Sequence, residues 1–193
     1  MRKYSAYKDS GVKWIGEVPK HWEINTLGFY FTENKHLNTA LENTDAYQFC
    51  YGTLIRKNRE YRAEEDAPVY SKYTVLSPND IVINGLNLNY DFVSQRVASS
   101  AANGIITSAY ICLRPRKSTN ADYFTYLFKS IDSRKLFHGM GTGIRLTLSF
   151  SELKRQYLSV PPLPEQHAIV DYLKDKTSKI DQYVTERERE RAA

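Results

Sequence analysis

Two short stretches of the chain gather side chains that can hydrogen-bond to base edges. One runs from Asn84 to Arg96 and offers Asn84, Asn87, Asn89, Tyr90, Ser94, Gln95 and Arg96. The other runs from His138 to Thr147 and sets Thr142, Arg145 and Thr147 among Gly139, Gly141 and Gly143. Amide side chains pair with adenine and arginine forks onto guanine in the major groove. Glycine lets a backbone approach a phosphate closely. Arg134, Lys135 and Arg145 are therefore candidate phosphate contacts, and Gln95 or Arg96 a candidate base contact. The competing reading of the same residues is two ordinary polar loops with charged flanks.

Catalytic chemistry finds no comparable constellation. There is no Gly-x-x-x-x-Gly-Lys-Ser/Thr loop to cradle a nucleotide, and nothing resembles a nucleophile elbow. The glycines at 139, 141 and 143 follow a helical pattern instead of joining a strand to a helix, which suits a loop or cap. Glu64-Glu65-Asp66 is a run of acids in a polar stretch, expected as a solvated loop. His21, His36, His138 and His167 are scattered without metal-ligand spacing, and Cys50 and Cys112 lie far apart in apolar surroundings. Neither a zinc site, a disulfide framework nor a bound cofactor is expected, and the thiols are expected to be reduced.

Charge favours a polyanionic partner over a region, not over the whole chain. The 193 residues carry a net +5. Residues 96–155 hold 10 Lys and Arg against 3 Asp and Glu, whereas 1–95 hold 11 against 12 and 156–193 hold 6 against 7. A regional excess is what phosphate binding needs, although a solubilising surface would carry it equally well. The 41% hydrophobic and 13% aromatic content supports one globular domain plus an appended element. No stretch approaches the roughly 20 apolar residues of a membrane span. The opening Met1-Arg2-Lys3-Tyr4-Ser5 lacks a signal peptide's apolar core, so the cytoplasm is the expected compartment.

The elements that must position these loops are mostly strands. Residues 1–21 are turn-rich, pinned by Trp14, Ile15 and Trp22. β-prone runs follow at Tyr47–Tyr51, Tyr73–Leu76, Asp80–Ile83, Phe92–Ala98 and Ile105–Leu113, with Asn103-Gly104 expected as a hairpin turn. Tyr123, Phe124, Leu127, Phe128 and Ile131 recur at helical spacing, so a helix is predicted over 121–137, capped by Asn120 with Asp122 in its first turn. A short helix over Ser151–Arg155 and a strand over Tyr157–Val160 are predicted next. Pro161-Pro162-Leu163-Pro164 then marks a boundary, dividing a domain at 1–160 from a helical element at 161–193. Beyond it, Gln166, Val170, Leu173, Thr177, Ile180 and Val184 are spaced 4, 3, 4, 3, 4, a heptad seam on a helix of roughly 40 Å. A partner helix is the expected cover for that seam, with folding back onto the domain as the alternative. The fold class predicted is α+β: a mainly β domain with one or two short helices, then a long coiled-coil-type helix.

Two segments carry a family resemblance. Tyr7-Lys8-Asp9-Ser10-Gly11-Val12-Lys13-Trp14-Ile15-Gly16-Glu17-Val18-Pro19-Lys20-His21-Trp22 resembles the opening of specificity subunits of type I restriction–modification systems. Pro161-Pro162-Leu163-Pro164-Glu165-Gln166-His167-Ala168-Ile169-Val170, with Leu173 and Lys179-Ile180-Asp181, resembles the junction where their recognition domain enters a conserved helix. Gly139–Ile144, Leu148 and Leu153 sit where that family places its loop and helix before the junction. Together these cover nearly the whole chain.

The resemblance implies a target-recognition domain that binds double-stranded DNA and reads one half of a split target. It implies a helix that docks a methyltransferase subunit, with a restriction–translocase subunit joining the complete complex. Catalysis would then reside in those partners and not in this chain. Family members resemble two such domains joined by two antiparallel helices, whereas this sequence holds one of each, as in a half-length subunit, a truncation or an excised fragment. A homodimer through the helix is therefore expected to restore two recognition domains. The alternatives are a fragment of an adenine methyltransferase or nuclease, and an assembly protein that does not read DNA. For the former, Asn87-Leu88-Asn89-Tyr90 resembles an Asn-Pro-Pro-Tyr loop only without its prolines.

Overall fold

The structure, a computed structural model, describes residues 4–116 and 119–192. From the N-terminus the chain forms a hairpin of β1 (Tyr7–Asp9) and β2 (Glu17–Pro19), strand β3 (Glu23–Thr26), the single turn α1 (Leu27–Tyr30) and strand β4 (Phe31–Glu33). A second hairpin, β5 (Tyr47–Cys50) and β6 (Thr53–Arg56), precedes helix α2 (Ala63–Tyr70). Strands β7 (Thr74–Leu76), β8 (Ile81–Ile83), β9 (Val97–Ser99), β10 (Gly104–Ile106) and β11 (Ile111–Pro115) follow. The chain ends in helix α3 (Ala121–Ser133), a 3-10 turn (Leu136–Gly139), the short α4 (Phe150–Leu153), strand β12 (Tyr157–Val160) and helix α5 (Leu163–Ala192). This is the α+β, mainly β architecture with a long C-terminal helix that the sequence predicts.

The middle of the domain is an antiparallel sheet in the order β4-β11-β8-β9. Ile81, Val82 and Ile83 of β8 are all fully buried, so both faces of this sheet are covered. One face packs on α3, where Phe124, Phe128 and Ile131 meet Phe31, Ile83 and Leu113. The other face buries Val82 and Cys112 against Leu76 and Ile106, with Phe49 and Leu54 of the β5–β6 hairpin packed alongside. A strand buried on both faces loses the polar–apolar alternation, which is why β8 is a continuous apolar run in the sequence.

Helix α3 begins as predicted: the Asn120 side chain accepts from the Tyr123 amide at 3.0 Å. It ends at Ser133, not Phe137, because Lys135 takes a left-handed conformation (φ 57°). Helix α4 is set by a capping box between Ser149 and Glu152.

Three sequence expectations need correction. Asn103-Gly104 is not a hairpin turn: β9 pairs with β8, and β10 pairs with β7. Gly104 serves a close approach instead, since a Cβ there would lie 2.3 Å from the Tyr47 ring. Glu64-Glu65-Asp66 is not a solvated loop but the first turn of α2. Asp66 is buried, accepts from the Arg62 amide at 2.8 Å and pairs with Arg59, and these bonds hold its carboxyl below the usual carboxylate range despite burial. The predicted strands Phe92–Ala98 and Ile105–Leu113 differ in extent: of the first only Val97 and Ala98 are strand, within a β9 that runs on to Ser99, and the second breaks between Ile106 and Ile111.

Strand β12 pairs with β3, Val160 opposite Glu23, so the chain enters α5 beside its own N-terminal segment. The helix does not stand clear of the domain from its start. Val170 belongs to the domain's main core, Ile169 packs against that core, and Gln166 is buried with its amide donating to the Pro161 carbonyl at 2.9 Å. Lys174 then reaches Asp122 of α3 at 2.6 Å. From Lys174 onward every residue whose burial is described is exposed. The heptad seam is therefore split along its length: Gln166, Val170 and the half-buried Leu173 lie against the domain, whereas Thr177, Ile180 and Val184 are exposed. The proline boundary marks a change of element, but the first turns of α5 belong to the domain's core. Among the described residues, no helix is long and apolar enough to cross a membrane.

Candidate nucleic-acid interface

The first polar stretch, 84–96, is the connection between β8 and β9, and it is organised around Arg96. That residue is 1% exposed. Its guanidinium donates to the carbonyls of Leu86 and Asp91, each at 2.9 Å, of Asn84 at 3.1 Å and of Asn87 at 3.5 Å. Its backbone N–H donates to the Asp132 carboxylate of α3 at 2.7 Å. A loop without ladder partners leaves carbonyls that need donors, and one five-donor fork supplies them. Arg96 is therefore not presented at the surface where the sequence expectation puts it: it holds the loop from inside.

Asp91 completes this framework. Its carboxylate accepts from the amides of Ser94 at 2.9 Å and Val93 at 3.1 Å, and lies 3.5 Å from the Arg96 guanidinium. The Ser94 amide above all, with the Ser94 hydroxyl, the Val93 amide and the Arg96 charge, outweighs burial and brings the carboxyl down to about 2.

The second stretch, 138–147, docks onto the first across some fifty positions of sequence. The Leu148 amide donates to the Gly85 carbonyl at 2.9 Å, and the Leu88 amide to the Leu146 carbonyl at 3.3 Å. Asn89 donates its side-chain amide to the Ile144 carbonyl at 3.1 Å. His138 Nε2 lies 3.2 Å from the Asp91 carbonyl, and its ring stacks on Phe92 with centroids 4.5 Å apart. Gly85 is required here, because a Cβ would come within 2.5 Å of the Leu148 carbonyl.

The two stretches thus make one surface. Asn87, Tyr90, Gln95, Thr142 and Arg145 are exposed on it, while Asn84 and Asn89 are half-buried and tied into the loop framework. Gln95 also abuts the turn of the β5–β6 hairpin, where a Cβ on Gly52 would lie 2.7 Å from its side-chain oxygen. That contact brings the exposed Tyr51 beside the loops, a neighbour no local sequence pattern marks. Phe92, Val93 and Ile144 are exposed on the same loops, and their apolar side chains give no hydrogen-bonding signal in the sequence.

Arg134 and Lys135 are placed elsewhere, at the end of α3. Arg134 lies 3.5 Å from the Trp14 carbonyl and lines a groove with Tyr4, Trp14 and Tyr126. The basic excess of 96–155 is also thinner at the surface than its count suggests. Arg96 is internal, and Arg114 forks onto the buried Asp80 at 2.7 and 3.0 Å. Lys117 lies outside the described residues.

The opening segment and the start of α5 meet at one carboxylate. Glu165 accepts from the Tyr4 hydroxyl and from Trp22 Nε1 at 3.2 Å, and lies 2.8 Å from His21 Nε2. Burial raises its carboxyl, but the bonds from Tyr4, His21 and Trp22 outweigh it and keep it below its ordinary value. Among the described residues, no group of three or more His, Cys, Asp or Glu side chains could hold a metal ion.

The sequence profile of the family described as the type I restriction modification DNA specificity domain matches residues 49–188, which include both loops and most of α5. The chain belongs to this family. No curated protein matches it. Among solved structures, it resembles a chain from work on complex assembly and conformational transition of the type I R-M system, with a TM-score of 0.60 at 16% identity over 92% of this chain and 42% of that one. It also resembles the HsdS subunit from Thermoanaerobacter tengcongensis, with a TM-score of 0.54 at 15% identity over 91% of this chain and 41% of that one. At such identities the likeness is one of fold. This specificity-domain chain spans less than half the length of either relative.

Proposed function

We propose that this chain is the DNA-recognition part of a type I restriction–modification specificity subunit, and that the paired loops 84–96 and 138–147 read one half of a split target. The observation that carries this is the docking of two distant polar loops into one surface, held by a buried arginine and faced with Asn87, Tyr90, Gln95, Thr142 and Arg145, in a chain of the DNA specificity family. Evenly distributed surface polarity would not need an internal fork to fix its carbonyls. Arg145 makes a phosphate contact, and the amides and hydroxyls contact base edges. Asn84 and Asn89 support this face from beneath, each tied into the loop framework. Methyl transfer and cleavage belong to partner subunits, and the chain works with them on DNA in the cytoplasm without a cofactor of its own.

The outward half of α5 is the proposed assembly surface. Thr177, Ile180 and Val184 lie on one stripe and are exposed, with Tyr183 beside them. A methyltransferase subunit or a second copy covers this stripe, and a restriction–translocase subunit joins the resulting complex. Antiparallel pairing of two copies would place two recognition domains about a two-fold axis.

Equilibrium binding to duplex DNA across a salt series tests the reading. Specific binding should weaken with salt at a slope of about −0.9 per neutralised phosphate. Arg145→Ala should lower that slope by about one unit. Absence of salt-dependent binding would refute the assignment.

A further inference from the structure

The tip of the second loop carries a side chain that neither hydrogen bonding nor charge explains. Thr142 and Thr147 exchange both backbone bonds, at 3.1 and 2.9 Å, and the Leu146 amide closes on the Gly143 carbonyl at 3.1 Å. Gly143 and Leu146 both take left-handed backbone conformations to make this turn. From outside, Asn89 holds the Ile144 carbonyl and the Leu88 amide holds the Leu146 carbonyl. The backbone at the tip is therefore fixed by bonds within the turn and by bonds from the other loop.

On this fixed backbone Ile144 stands 94% exposed, directly before the exposed Arg145. Val93, 87% exposed, and Tyr90, 74% exposed, extend the apolar character along the neighbouring loop. A face that only followed phosphates and base edges would gain nothing from an aliphatic tip in water. A rigid β-branched side chain beside a cation suits insertion into a base stack, where apolar wedges unstack a step and kink the duplex.

We propose that Ile144 is such a wedge. When the paired loops meet duplex DNA, its side chain enters between two stacked bases, while Arg145 holds the adjoining phosphate. This rests on the DNA-recognition reading above and adds deformation of the DNA to it. The step entered should be one that unstacks readily, such as a pyrimidine–purine step, giving preference at a position without hydrogen-bonded base contacts.

The test uses the duplex enriched from random DNA by the parent chain, with a fluorescent adenine analogue placed in turn along the site. Binding of parent protein should raise fluorescence severalfold at one position and bend the duplex by roughly 20–90° by end-to-end energy transfer. Ile144→Ala should bind with the fluorescence and bend of free DNA, and Ile144→Leu should retain both effects. The exposed side chain makes misfolding of these variants easy to exclude by their circular dichroism. Binding by the parent with no unstacking at any position overturns the wedge and leaves DNA recognition standing. Loss of affinity on replacing thymine by uracil, with stacking intact, would assign Ile144 to methyl contacts and likewise overturn it. No DNA binding by the parent overturns both.

Discussion

Replacing Arg96 by methionine separates a residue that builds the proposed recognition loop from one proposed to touch DNA. The guanidinium satisfies carbonyls of Asn84, Leu86 and Asp91 at 2.9–3.1 Å and faces the Asp91 carboxylate. Methionine fills similar space and donates nothing. Removing one partner of a buried ionic network costs about 3–5 kcal/mol. Asp91 is more than one-third exposed and water can reach the loop, so the cost should fall at the low end, about 3 kcal/mol. A domain of ordinary stability, about 5–15 kcal/mol, survives that loss. The loop should open roughly a hundredfold more often, and hydrogen exchange of amides at 85–96 should report it while amides of β8 and β11 remain protected. DNA affinity should fall with the loop. Arg145→Ala, by contrast, should leave urea stability within about 0.5 kcal/mol of the parent and change only DNA binding. If Arg96→Met matched the parent in stability and exchange but lost one unit of salt slope, Arg96 would be facing DNA and could not be the internal support of the loop.

Other outcomes follow from the same contacts. The folded pKa of Asp91 is lowered to about 2, so its stabilisation is present above the unfolded value of about 3.9 and is lost as pH falls through about 2. Protection factors at Val93 and Ser94 should drop across that window, and Asp91→Asn should remove the dependence. Burial pushes the Cys112 thiol up to about 12, with Asp80 and Glu33 adding to it, so iodoacetamide should label the half-buried Cys50 and spare Cys112 until the domain unfolds. Ile180→Asp with Val184→Asp should abolish self-association measured by sedimentation while leaving the folded domain's circular dichroism unchanged. Leu173→Asp should instead destabilise the domain, by about 1–2 kcal/mol for a half-buried leucine. A monomeric parent at high concentration would leave a methyltransferase subunit as the cover for the stripe.

Elements are more legible in this sequence than the relations between them. The periodicity of α3, its Asn120 cap and the heptad spacing of α5 are local patterns, and each corresponds to an element in the structure. Both polar loops are also visible in composition, but their docking is not, because a Gly85–Leu148 bond leaves no trace in either stretch alone. Arg96 reads as a contact because a charged residue in a polar loop usually is exposed; only the loop's unpaired carbonyls explain its burial. Gly104 follows Asn103 like a turn glycine, yet Tyr47, far away in sequence, is what excludes a Cβ. The seam of α5 is uniform in sequence and divided in space, since only its first turns lie within reach of α3 and the domain's core.

Selection of bound sequences from random duplex DNA, by the parent chain with the proposed methyltransferase partner and by an Asn87→Ala, Arg145→Ala variant with the same partner, is the most direct test of recognition by the paired loops. The parent should enrich one short half-site, and the variant should lose or alter that half-site while remaining folded and still assembling with the partner. Enrichment of the same half-site by both proteins would contradict this and place sequence recognition elsewhere on the domain.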